Sequence, residues 1–127
     1  MGFNPLERSK VRFTGEKVII QEVDQITIVD FLSHRKANPK SVVIDVRDDD
    51  NWVEGHIPGA IHIHKSKVED EIEEKVPDKN AEIFCHCGGG TSGPRTAALL
   101  NEMGYKNAKA IQGGFRSYKA SGAPIKK

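Results

Sequence analysis

The chain has little that would tie it together covalently or fix it to a membrane. Its two cysteines, Cys85 and Cys87, are too few for a disulfide framework, and a reactive thiol suits a reducing compartment. On a strand, residues two apart lie roughly 6.6 Å from each other, near the upper limit for a bridge, so the pair is not expected to be bonded. No apolar run approaches the roughly 20 residues of a membrane-spanning helix. The first residues also lack the apolar centre of a signal peptide, so no membrane contact is expected and the expected location is the cytoplasm. Neither sign of charge dominates. Nineteen Lys and Arg against 18 Asp and Glu leave a formal net charge of +1, without the basic block that nucleic acid would call for. Metal ligands are sparse as well. His56, His62 and His64 are available beside the cysteines, but their spacing fits no familiar zinc pattern, so neither a metal nor a cofactor is expected.

What remains is an ordinary globular composition, 37% hydrophobic in 127 residues, enough for one domain with a real core. Residues 1–20 read as an N-terminal extension, with two short strands at 10–13 and 17–21 joined at Thr14-Gly15. From residue 21 to 127 the pattern is regular. A short strand at 23–26 is followed by a helix over 28–36, with Thr27 as N-cap and Ile28, Phe31 and Leu32 on one face. Asn38-Pro39-Lys40 breaks it. The β-branched run 41–46 predicts a strand covered on both faces. A helical turn at 48–53, a strand at 60–63 and a charged helix at 68–75 with a solvated acidic face come next. A strand at 82–86 leads through a glycine-rich loop into a helix that opens at Pro94 and is capped by Gly104. A strand at 108–112 and a helix at 115–120 close the pattern. Strands alternating with helices imply an α/β sandwich around a mainly parallel sheet.

The chemistry concentrates where Ile83-Phe84-Cys85-His86-Cys87 runs into Gly88-Gly89-Gly90-Thr91-Ser92-Gly93. Glycines let such a loop curl until several backbone N–H groups point inward. The following helix adds unpaired donors and a partial positive charge. A cysteine in that cup ionises more readily than a free thiol, and the same cup holds an anion beside it. Cys87, next to the glycines, is the candidate nucleophile. Cys85 is expected along the strand as a small apolar side chain. The alternative is a pair of ordinary buried cysteines beside a flexible loop.

Three separated motifs carry a family resemblance. Ile44-Asp45-Val46-Arg47, then Trp52, then Gly55-His56-Ile57-Pro58-Gly59-Ala60 resembles the first signature of rhodanese-like domains. Gln112-Gly113-Gly114-Phe115-Arg116-Ser117-Tyr118, followed by Gly122 and Pro124, resembles the closing one, with Tyr118 where the family often has Trp. The glycine loop occupies the place of the family's active-site loop. The resemblance implies a three-layer α/β/α sandwich with a central, mainly parallel sheet. It also implies sulfurtransferase activity through a Cys87 persulfide. The donor would be thiosulfate, mercaptopyruvate or a persulfide; the acceptor would be cyanide or a thiol, a protein thiol included. Amides of Gly88, Gly89, Gly90, Thr91, Ser92 and Gly93 would hold the charged sulfur, with Thr91 and Ser92 adding hydroxyls or capping the helix. Asp45 and Arg47 would form a network bracing the loops rather than act as catalysts, and Trp52 and Tyr118 would pack. His56 would satisfy backbone groups. Three glycines stand where thiosulfate-specific relatives carry basic residues, so the loop itself supplies no cation.

Two other readings compete. His86-Cys87 followed by Gly93-Pro94-Arg95 is similar to the active segment of rhodanese-fold dual-specificity phosphatases and arsenate reductases. Their loop is one residue longer and includes an arginine missing here, and Arg95 either turns back toward the pocket or faces solvent. Rhodanese-like domains also serve as non-catalytic binding modules.

Overall fold

The structure, a computed structural model, describes the backbone of residues 6–13 and 19–127 and the side chains from Val23 onward. Six strands form one sheet in the order β1-β2-β6-β5-β3-β4. They are β1 (Leu6–Phe13), β2 (Ile19–Ile26), β3 (Val42–Asp45), β4 (Ile61–His62), β5 (Ile83–His86) and β6 (Ala108–Ile111). β2, β6, β5, β3 and β4 pair in parallel. β1 lies antiparallel on β2, with Leu6 opposite Ile26 and Phe13 opposite Ile19. The strands expected at 10–13 and 17–21 are therefore longer than predicted, and the turn at Thr14-Gly15 lies outside the described residues. β2 runs straight through residues 20 and 21, where the sequence suggested that an extension ends.

Helices α1 (Ile28–Ala37), α2 (Asp49–Glu54), α3 (Val68–Lys75), α4 (Ser92–Glu102) and α5 (Gly114–Ala120), with a 3-10 turn at Lys65–Lys67, complete the chain. All four residues of β5 are buried, and successive side chains feed opposite layers. Ile83 and Cys85 join Val68 and Ile72 of α3 and Ala97 and Leu100 of α4. Phe84 joins Phe31 of α1 and Tyr118 of α5, its ring edge-on to Phe31 at 5.1 Å between centroids. Burying one such large side chain contributes about 1.5–3 kcal/mol, against roughly 1 kcal/mol net for a strand hydrogen bond. The two-sided apolar pattern, more than the ladder, therefore sets the register. This is the α/β/α sandwich with a mainly parallel sheet. Among the described residues no helix is long and apolar enough to cross a membrane.

The helix ends follow local chemistry. The Thr27 hydroxyl accepts from the Asp30 amide at 3.2 Å, capping α1. α1 buries Phe31 fully but leaves Leu32 at 36% exposure, so the expected apolar face is narrower than three residues. Gly104, with φ +99°, ends α4: its N–H reaches the Asn101 carbonyl at 3.1 Å and the Tyr105 N–H reaches Leu100 at 2.9 Å, the paired bonds of a Schellman ending. Pro94 is the third helical residue, not the first. Helix N–H groups this early have no internal partner, so proline fits there equally well. Gly93 packs closely on β5: a Cβ there would lie 3.3 Å from the His86 Cα.

Tyr105 is fully buried and its hydroxyl donates to the Val76 carbonyl at 2.6 Å, tying the end of α4 to the end of α3. Tyr105→Phe leaves that carbonyl unpaired and is expected to lower stability by about 1–2 kcal/mol. The check is a lower urea midpoint with an unchanged slope of unfolding free energy against urea.

Candidate active site

Parallel strands deliver their loops to one edge of the sheet, and ligands bind at the carboxyl ends of such strands. Here the residues after β3, β4 and β5 and the first turn of α5, which follows β6, surround one cavity of about 490 Å³. Val46, Arg47 and Asp48 follow β3 and Asn51 belongs to α2, while Lys65 follows β4. Cys87, Gly88, Gly89, Gly90 and Ser92 follow β5. Phe115 and Arg116 belong to α5.

Cys87 is 8% exposed and opens on this cavity. Cys85, one turn of the strand's alternation earlier, is fully buried, and burial pushes its thiol far above the ordinary range. The two thiols are both free and chemically unequal: the chain's burial keeps Cys85 protonated and leaves only Cys87 accessible.

The loop after Cys87 is held from one side. The amides of Phe115 and Arg116 donate to the carbonyls of Cys87 (2.8 Å) and Gly88 (3.1 Å). No peptide bond in the described chain is cis, so each planar peptide turns its N–H opposite to its carbonyl. The N–H groups of Gly88 and Gly89 thus point away from α5, and they have no acceptor among the described residues. This contact needs Gly114. Its φ is +57°, and a Cβ there would lie 2.5 Å from the Cys87 carbonyl oxygen and 3.0 Å from the Gly89 nitrogen.

Behind the loop lies a buried polar network. Asp45 is fully buried. It accepts from Arg47 Nη2 at 2.8 Å and Nε at 3.0 Å, and from the Arg47 amide at 3.0 Å. Arg47 Nη2 also donates to the Gly55 carbonyl at 2.7 Å, and its guanidinium sits 3.9 Å from the centroid of Phe115. Burial alone would raise the Asp45 carboxyl, but the Arg47 bonds and neighbouring His86 hold it below the ordinary carboxylate range. His86 is buried beside Cys87, donates from Nδ1 to the Cys87 carbonyl at 3.1 Å, and leaves Nε2 without a partner, 3.7 Å from Asp45. Burial lowers its imidazole pKa, outweighing the upward pull of Asp45. Trp52 is stacked between His56 (3.5 Å) and His62 (4.9 Å). His56 Nδ1 pairs with the Trp52 carbonyl at 2.9 Å and His62 Nε2 with the Arg47 carbonyl at 2.8 Å, so both satisfy backbone groups.

The candidate residues from the sequence divide cleanly. Cys87, Gly88, Gly89, Gly90, Ser92 and Arg47 meet at the cavity. Thr91 and Arg95 are exposed and line a neighbouring recess with Lys65, Ser92, Thr96 and Leu99. Thr91 makes no side-chain cap bond, and Gly93 is buried against β5. Asp45 lies behind the cavity. Sequence reasoning missed Lys65 and Arg116. Arg116 lay within the closing signature, and its place just after a strand end was the available signal. Lys65 carried the same signal, since it follows the strand expected at 60–63, observed as Ile61–His62. Among the described residues no group of three or more His, Cys, Asp or Glu is arranged to hold a metal ion.

The strand order, the loop and the cavity define an α/β domain with an accessible thiol at the end of a central strand. The family model of the rhodanese-like domain matches residues 29–121, and the chain belongs to this family. It is 38% identical over 79 residues to a protein named thiosulfate sulfurtransferase GlpE from Coxiella burnetii, covering 62% of this chain and 72% of that one. It is 32% identical over 128 residues to a protein from Arabidopsis thaliana named dual specificity phosphatase Cdc25, covering 89% of this chain and 86% of that one. Among solved structures, a rhodanese-related protein from Thermoplasma volcanium superposes with a TM-score of 0.70 at 22% identity, over 80% of this chain and 96% of that one. That likeness concerns the fold.

Gly114→Ala places a methyl group on the Cys87 carbonyl at a left-handed φ, and is expected to lower stability by about 1–3 kcal/mol, read as a lower thermal midpoint. A second expectation concerns pH. Asp45 and His86 both have folded-state values beneath their unfolded ones, so the unfolded chain binds more protons on acidification and stability falls with pH. The His86 share is complete above the imidazole range of about 6.5 and is lost below it; the Asp45 share is lost only below about 3.9. Urea midpoints should decline between about pH 7 and 5 in the native protein and decline less in His86→Phe. An equal slope in both would remove His86 from this account.

Proposed function

We propose that the protein is a sulfurtransferase that carries a sulfane sulfur from a donor to a thiophilic acceptor as a Cys87 persulfide. The observation that carries this reading is the inequality of the two thiols. Cys87 opens on a cavity lined by Gly88, Gly89 and Gly90, while Cys85 is sealed and its thiol held protonated. Kinship with proteins named thiosulfate sulfurtransferase supports it. In the first half-reaction the Cys87 thiolate attacks the donor's outer sulfur, whose bond to the rest of the donor breaks and leaves its electron pair on the leaving group. In the second, a nucleophile such as cyanide or another thiol takes that sulfur from Cys87–S–S⁻ and the thiolate returns. Two half-reactions through a covalent intermediate give ping-pong kinetics. The amides of Gly88 and Gly89, turned away from α5, are the donors suited to the persulfide charge. The Asp45–Arg47–Gly55 network and the α5 contact hold the loop in place.

A phosphatase or arsenate reductase reading draws on the Arabidopsis relative. A phosphoryl transition state spreads charge over three oxygens and relies on a bidentate arginine. Arg95, the arginine nearest in sequence, lines the neighbouring recess rather than the Cys87 cavity. Arg116 does line the Cys87 cavity, so the preference for sulfur transfer rests on the kinship with proteins named thiosulfate sulfurtransferase.

Incubation with thiosulfate should add one sulfur to the intact mass of the native protein and of Cys85→Ser, and none to Cys87→Ser. Cyanide should then release thiocyanate. Loss of the gain in Cys85→Ser would move the nucleophile. Turnover of an aryl phosphate without any sulfur gain would replace this reading with the phosphatase one.

A further inference from the structure

We infer that a groove beside the Cys87 cavity receives the sulfur acceptor, and that this acceptor is a cysteine on an extended segment of another protein, followed on the same face by an apolar side chain and a carboxylate. This rests on the sulfur-transfer reading of Cys87 and names the acceptor class. The groove has a volume of about 710 Å³ and is lined by the end of α2, by α5 and by the segment after α5. Arg47, Asn51 and Phe115 line both it and the thiol cavity, so the two adjoin. Cyanide needs only the thiol cavity. A cysteine-bearing segment can reach Cys87 through that cavity and lie along the groove.

The walls are apolar and fixed in advance. Four large apolar side chains stand exposed among the described residues. Two of them, Val53 at 69% and Ile125 at 39%, line this groove together with Phe115. Single exposed apolar residues are ordinary; several in one concave site beside a reactive group mark a place for a partner's apolar side chain. Lys126 donates to the His56 carbonyl at 2.9 Å and accepts from the His56 amide at 2.8 Å. The Tyr118 hydroxyl donates to the Pro124 carbonyl. The chain is thus clamped on both sides of Ile125. Gly55 leaves the space that Ile125 fills, since a Cβ there would lie 2.8 Å from the Ile125 Cγ2. A wall already held in place spares the ordering cost that weakens association.

The charges on the groove give the partner its sign. Arg47 is already paired with Asp45. Lys119, Lys127 and Glu54 are exposed on the groove, and none has an ion-pair partner among the described residues. Two ammonium groups against one carboxylate favour an acidic segment. Phe115 and Lys119 lie four apart on α5 and face the same way. Phe115 borders the thiol cavity and Lys119 only the groove, so the cation lies beyond the apolar contact. An extended segment repeats its face every second residue, and the order on that face is cysteine, apolar residue, carboxylate. The transfer balances. The acceptor thiol loses its proton to solvent, and its thiolate bonds to the outer sulfur of Cys87–S–S⁻. The bond between the two sulfurs breaks and its electron pair returns to Cys87. One negative charge then sits on the new persulfide and one on the Cys87 thiolate, as many as before.

The test follows discharge of the Cys87 persulfide by intact mass, after the full chain has been loaded with thiosulfate and the excess removed. The acceptors are cyanide and the end-blocked peptide Asp-Gly-Leu-Gly-Cys-Gly-Leu-Gly-Asp, which reads alike in either direction. Serine for leucine and lysine for aspartate give two control peptides. The peptide concentration for half-maximal rate should rise about tenfold in Val53→Asp and about fivefold in Lys119→Glu. The maximal rate, measured against the cyanide rate of the same variant, should hold, because the lost contact serves binding alone. The serine peptide should respond little to Val53→Asp, and the lysine peptide should saturate Lys119→Glu at a lower concentration than the native protein. Half-saturation that does not move, a lysine peptide that gains nothing in Lys119→Glu, or equal slowing with both acceptors overturns the proposal. So does a native persulfide that cyanide discharges and the aspartate peptide does not. A native protein that sediments as a dimer, and as a monomer after Val53→Asp, gives the groove to a second copy of this chain and overturns it as well. If native Cys87 never loads, or cyanide never discharges it, the sulfur-transfer reading itself falls and takes this inference with it.

Discussion

The site depends on a seam two hydrogen bonds long. The amides that open α5 hold the carbonyls of Cys87 and Gly88, and Gly114 lets the two backbones approach closely enough to do so. Because peptide units are planar, fixing those carbonyls also fixes where the next two N–H groups point. A helix that follows the last strand thereby orients the loop that follows the central one. The loop's glycines would otherwise leave it free to take many shapes, and backbone entropy would favour that freedom.

The seam holds because what lies beneath it is stiff. Asp45 and Arg47 form a buried, multiply bonded pair, and Arg47 extends the tie to the chain after α2 through Gly55. Such a pair adds little net stability once desolvation is counted, but removing one partner leaves an uncompensated buried charge. Its value here is positional: it joins the end of β3, the end of α2 and the ring of Phe115, which in turn begins the helix that makes the seam. His86 completes this wall by bonding the Cys87 carbonyl from the opposite layer to the thiol.

Charge is handled by the same division of labour. The loop next to the nucleophile is neutral and supplies backbone donors. Lys65 and Arg116 line the same cavity from other strand ends, and Asp48, its one carboxylate among the described residues, pairs with His64.

Much of this was legible before folding was considered. Thr27 and Gly104 cap their helices by chemistry local to a few residues, and the limits of α3 follow from its pattern. The β-branched run 41–46 was legible as a strand covered on both faces, and the contrast between Cys85 and Cys87 follows from one residue lying inside β5 and the other just beyond its end. Local spacing could not tell that Pro94 is the third residue of α4 rather than its first, because proline fits any position of a first helical turn. Nor could it tell that Arg95 lines a neighbouring recess while Arg116 and Lys65 line the cavity that holds Cys87. Sequence by itself determined the order of elements and the contrast between the two thiols, since periodicity and capping act over a few neighbouring residues. Only the tertiary structure decided which charges surround that position, because strand ends far apart along the chain become neighbours when the sheet assembles.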